Sequence, residues 1–181
     1  DHVNHPDLAV IWFDAHADLN STSTSPSGAF AGMAARALLG DVPSELALRG
    51  DALPAHRLFV AGSRALDDDE AVFAQDSAVS LVSVDDLRDP ATLVDAVRAS
   101  GATRIYIHID LDVLDPAHVT GVQNPMPFGL TPTELTAMVV ALRTAFDLSG
   151  ASLAGFAPST PAAAVEDLGT ILRIVGALAA A

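Results

Sequence analysis

Two short segments gather most of the residues that could do chemistry. Asp14-Ala15-His16-Ala17-Asp18 sets two carboxylates and an imidazole at alternate positions. Asp110-Leu111-Asp112 sets two more carboxylates at the same spacing. Each segment directly follows an apolar run, residues 8–13 (LAVIWF) and 104–109 (RIYIHI). If both runs are strands, alternate side chains at their ends share a side, and all five groups converge. Four carboxylates in one small volume repel each other, so either several hold protons or cations sit among them. Oxygen donors with one imidazole suit Mn²⁺, with Mg²⁺ and Fe²⁺ as competitors. The donor count is generous for one ion and natural for a bridged pair about 3.5 Å apart. Such a pair acidifies the water it shares, and the chemistry would be metal-assisted hydrolysis.

Other candidates have plainer readings. Asp115 precedes Pro116 and reads as a turn residue. His108 sits inside a strand-like run and reads as a satisfied core histidine. His56 and His118 read as loop residues. The acidic run Asp67-Asp68-Asp69-Glu70 reads as a solvated helix start.

The surrounding pattern supplies the scaffold. Continuous apolar runs mark strands buried on both faces. The strands are expected at 8–13, 57–61, 80–84, 104–109 and 151–156. Helices are expected at 29–39, 91–99, 131–148 and 162–178. The third has a capping residue at Thr131, Pro132 at its first position and Glu134 to complete a capping box. Strands alternating with helices imply an α/β fold, a parallel sheet with helices on both faces. In such sheets ligands bind beyond the carboxyl ends of the strands, where both acidic segments fall. Residues 1–181 are expected to form a single domain.

Composition narrows the function. With 23 acidic and 9 basic residues the net charge is −14, which disfavours nucleic acid and anionic membrane surfaces. There is no Cys, which excludes disulfides and thiolate metal sites. All nine basic residues are Arg, which excludes lysine Schiff bases and P-loops. No signal peptide or membrane span is read, and a cytoplasmic location is expected.

The two acidic segments resemble those of the ureohydrolase family: arginase, agmatinase and formiminoglutamase. Those enzymes have DAHxD after a central strand, matched by Asp14 to Asp18. They have DxDxxDP after a later strand, matched by Asp110 to Pro116, then Gly-Leu-Thr opening a helix, matched by Gly129-Leu130-Thr131. The order and intervals agree along almost the whole chain. The resemblance implies an arginase-like three-layer fold, two Mn²⁺ ions and hydrolysis of a guanidino compound. It implies that Asp14 and Asp110 bridge the ions, with His16 and Asp112 on one ion and Asp18 on the other. The likeness is greatest to arginase, which turns arginine and water into ornithine and urea. There it implies that Asn20 and Ser27, beside Gly28, hold an α-carboxylate and that Asp67 holds the α-amino group. It also implies a homo-oligomer, trimer or hexamer.

Three positions depart from the family pattern. An upstream Gly-Gly-Asp-His would supply the second ion's imidazole; Asp1-His2 lacks its glycines and spacing. The chain is therefore expected to be an N-terminally shortened member. Ala31 stands where the family has its proton-shuttling His, and Gly155 stands where it has the Glu that pairs with the guanidinium. The substitutions Ala31→His and Gly155→Glu, in a chain extended to include the upstream His, are expected to raise activity. Two alternatives follow: a non-catalytic metal-binding relative with the same fold, and a dehalogenase-like phosphatase with Asp110 as nucleophile.

Overall fold

A computed structural model describes residues 6–43, 45 and 50–180. Asp1 and His2 lie outside the described residues. Five strands form one all-parallel sheet: β1 (Leu8–Phe13), β2 (Leu58–Ala61), β3 (Ser80–Val82), β4 (Arg104–Asp110) and β5 (Asp147–Ala154). Their order is β3-β2-β1-β4-β5, so β1 lies at the centre and pairs with β4 in register Leu8 to Arg104 through Phe13 to Ile109. That register brings the two acidic segments out side by side at the same sheet edge.

Alternation along the strands divides the core in two. Ala9, Ile11 and Phe13 of β1 join Ile105, Ile107 and Ile109 of β4 in a cluster with buried residues of α3 (Pro90–Ala99), α4 (Pro132–Ala145) and α5 (Pro161–Ala179). Val10 and Trp12 join Leu58 and Val60 in a cluster with Ala35 of α1 (Ala34–Leu38) and Ala74 of α2 (Asp68–Asp76). The result is the expected α/β architecture, a parallel sheet with helices on both faces. Trp12 pairs with His108 across the second face, so Asp14 and Asp110, two residues further along each strand, leave the sheet on that side.

The element bounds differ from expectation in three places. The helix expected over 29–39 is a 3-10 turn at Ala31–Met33 and then only Ala34–Leu38, with no side-chain cap at either start. The helix expected to reach 148 ends at Ala145; the N–H of Asp147 donates to Thr103 O and opens β5 early. A helix stands at Asp68–Asp76, where the sequence marks only an acidic start. Thr131 does cap α4, with Glu134 reaching back to its N–H at 2.8 Å.

Candidate metal centre

The acidic segment after β1 is not a continued strand. β1 ends at Phe13, and beyond it only an isolated parallel bridge between His16 and Ala65 continues the pairing. Asp18 has φ of +54°, a left-handed conformation that Asp tolerates better than most residues. Asp18 lies close enough to Asp14 for the two carboxyl groups to interact.

Five expected donors meet at the floor of a cavity of about 490 Å³. Asp14 is buried; its Oδ1 accepts from the His16 N–H at 2.7 Å and its Oδ2 from Trp12 Nε1 at 3.2 Å. Asp112 is also buried and accepts from the Ala15 N–H at 3.0 Å. His16 Nδ1 lies 2.9 Å from Asp112 Oδ2 and 3.4 Å from Asp14 Oδ1. The N–H of Asp112 donates to Asp110 Oδ1 at 3.1 Å. One ligand atom each from Asp14, His16 and Asp112 falls within 4.8 Å of the others. The same holds for Asp14, His108 and Asp110. Arg64 fixes the loop behind Asp112, donating to the carbonyls of Asp112 at 2.8 Å and Met126 at 2.7 Å.

The electrostatics express crowding among like charges. Burial, then the Asp14 carboxylate, push Asp18 up to about 8. Burial, then Asp112, push Asp110 up to about 6. Burial also raises Asp14. Burial works to raise Asp112 too, but its bonds to His16 and Ala15 outweigh it and hold the group low. Bonds to Asp112 and Asp14 push His16 up to about 10. Among the described residues no Arg lines the cavity, and His16 is its one cationic group. Crowded carboxyl groups, three of them raised, with no Arg or Lys side chain to offset them, form a donor set that fits divalent cations.

The residues expected to bind substrate line the wall. Asn20 is buried; its Nδ2 donates to Asp67 Oδ2 at 2.8 Å, so the expected carboxylate and amine partners are bonded to each other. Asp67 also caps α2. Ser27 is exposed on the rim, where its Oγ accepts from the Ala29 N–H. Ala31 lines the same cavity. Gly155 has φ of +78°, and a Cβ there would overlap the Asp110 carboxylate. A side chain at 155 would need the Asp110 carboxylate to move and would be strained at positive φ, which counts against the expectation that Gly155→Glu would complete the site.

Three residues of the site carry roles that sequence reasoning missed. Glu70, read as part of a solvated run, is buried, accepts from the Leu19 N–H at 2.9 Å and lines the cavity. Its place in the capping box with Asp67 is the available signal. Asn124 lines the cavity from a loop with no sequence signal. His108 is half-buried and bonded to Ser152 Oγ at 2.7 Å, as a core histidine should be, yet it also faces Asp14 and Asp110. Burial pushes it down to about 4. Its position two residues before Asp110 on the same strand is the signal.

Residues 1–171 match the sequence model of the arginase family. An arginase of Staphylococcus aureus (strain MRSA252) is 31% identical over 140 residues, 74% of this chain and 46% of that protein. An N(omega)-hydroxy-L-arginine amidinohydrolase of Streptomyces lavendulae is 30% identical over 172 residues, 94% of this chain and 60% of that protein. The crystal structure of an arginase from Bacillus cereus superposes with a TM-score of 0.85 at 28% identity, covering 96% of this chain and 63% of that one. The chain thus spans about half the length of the curated relatives it matches. Among the described residues no helix is long and apolar enough to cross a membrane.

Proposed function

The chain belongs to the arginase family, and from that premise we propose that it is a manganese-dependent hydrolase of a guanidino (amidino) compound. The observation that supports this most directly is the meeting of Asp14, His16, Asp18, Asp110 and Asp112 on one cavity floor. In this reading residues 1–181 are one arginase-like domain. Asp14, His16, Asp110 and Asp112 hold one ion tightly. Asp14, Asp18 and Asp110 hold a second more weakly. When bound, the ions supply an activated water.

The chain's own residues do the rest. Asp18 and Asp110, raised to about 8 and about 6, would have to give up their protons to act as ligands. His16 must also become neutral to ligate, and the Ala15 N–H keeps Asp112 in place as it does so. The acidic floor attracts a cationic guanidino group. Asn20, Ser27 and Asp67 at the wall and rim suit the polar end of an amino-acid substrate. Hydrolysis adds water across the guanidino carbon and breaks one C–N bond, giving urea and an amine. The proton from water ends on the leaving amine. With Ala at 31, no imidazole carries it from that position. A small-molecule partner agrees with a net charge of −14, which opposes nucleic acid.

Ala31 and the closed backbone at Gly155 favour a second reading, a metal-binding relative that does not turn over arginine. Incubating the Mn²⁺-loaded protein with arginine, agmatine and formiminoglutamate separates the two. Hydrolysis of any of them supports the hydrolase. Two bound ions with no turnover of any substrate supports the non-catalytic relative. The dehalogenase-like alternative lapses with membership of the arginase family.

A further inference from the structure

We propose that His108 is a metal ligand, giving an imidazole to the ion that Asp14 and Asp110 share with Asp18. The inference rests on the metal centre proposed above and assigns it a donor that lies within the chain itself. One nitrogen of His108 and one oxygen each from Asp14 and Asp110 fall within 4.8 Å of one another. Two ligands joined through one ion by bonds of about 2.1 Å stand at most a little over 4 Å apart, so small adjustments close this triad on a cation.

Three contacts fix the ring and its partners. Trp12 stacks on it, with centroids 3.7 Å apart and planes 24° apart. The same Trp12 donates its Nε1–H to Asp14 Oδ2 at 3.2 Å, so one side chain orients two of the three donors. Ser152 of β5 sits beside His108 in the sheet register, and its Oγ is 2.7 Å from His108 Nδ1. With Nδ1–H donating to Ser152, the Nε2 lone pair is the one left to ligate. An acceptor behind the ring that fixes its tautomer is what a ligating imidazole ordinarily has. A histidine that served only the core would not need to face two carboxylates.

The test counts imidazoles at bound manganese. Pulsed electron paramagnetic resonance of the unmodified, Mn²⁺-loaded protein is expected to show nitrogen couplings from two histidines, His16 and His108. His108→Ala should remove one set and weaken the second ion by on the order of 100-fold in calorimetric titration, leaving the tight ion nearly unchanged. Ser152→Ala, which keeps the ligand and frees its ring, should weaken the same ion by about tenfold. Coupling from His16 alone in the unmodified protein overturns the proposal while leaving the metal centre intact. Equal binding of both ions by His108→Ala does the same. Absence of any bound Mn²⁺ in the unmodified protein overturns this proposal and the proposed function together. The spectroscopic count needs no variant, so misfolding of His108→Ala would not shelter the proposal.

Discussion

Gly155 closes against Asp110: its left-handed backbone places any Cβ at that position onto the Asp110 carboxylate. The end of β5, where the sequence resemblance expects a guanidinium-pairing position, therefore backs directly onto a proposed metal ligand. Gly155→Glu should not rescue activity. It should destabilise the protein by about 2 kcal/mol or more, through strain at positive φ and displacement of Asp110, and should weaken Mn²⁺ binding. Urea unfolding and calorimetry measure both. A variant of unchanged stability that gains arginine hydrolysis would show that the backbone yields there.

Stability of the chelator-treated protein should fall as pH rises. Asp18 and Asp110 are raised to about 8 and about 6, and His16 to about 10. Each group with a raised folded-state pKa contributes stability that is full below its unfolded pKa and lost as pH rises through the folded value. His108, pushed down to about 4 by burial, works the other way below its ordinary value, so the melting temperature without metal should decline most clearly across about pH 6.5 to 9. Saturating Mn²⁺ should reverse the slope, because ligands bind cations only after losing protons. A melting temperature that rises with pH in the absence of metal would contradict the crowded floor.

Asp18→Asn separates stability from metal binding. Asn also accepts a positive φ, so the turn is retained. Removing a carboxyl that is costly to ionise should stabilise the metal-free protein at pH 9 by on the order of 1 kcal/mol. The same change should weaken one Mn²⁺ at least about tenfold, since a ligand is lost. Thermal melts with and without Mn²⁺ give both numbers. Loss of stability without metal would mean that Asp18 serves the fold.

Arginine turnover by this chain should be far below about one per second, the low end of ordinary enzymes. On the proposed assignment the proton carrier is missing at 31, and a positioned acid or base is worth roughly 10²–10⁴-fold. Ala31→His, on the exposed rim of the cavity, has room and should raise any detectable rate. Urea release measured on both proteins decides it. A rate near one per second from the unmodified chain would show that another group carries the proton.

Where sequence and structure agree, the signal is local. β1 is central because its apolar run is buried on both faces, and β4 pairs with it through an alternating pattern that buries Ile105, Ile107 and Ile109. Thr131, Pro132 and Glu134 start a helix because they satisfy its first N–H groups. The convergence of Asp14, His16, Asp110 and Asp112 follows from two strand ends in register. What is not legible depends on tertiary packing. Asp147 enters a strand because its N–H finds a carbonyl partner at Thr103, although its own sequence resembles a helix end. Glu70 is buried because the Leu19 N–H, far away in the chain, needs an acceptor. The overlap of position 155 with Asp110 depends on a backbone dihedral that residue types alone do not reveal.

The proposed function stands on Asp14 and Asp110 sharing a divalent metal. It is tested most directly by anomalous diffraction at the manganese edge from crystals grown with Mn²⁺. A strong peak in contact with both carboxylates is expected, with a second, weaker peak toward Asp18. Diffraction with no anomalous peak between Asp14 and Asp110, at Mn²⁺ concentrations that occupy other sites, would contradict it.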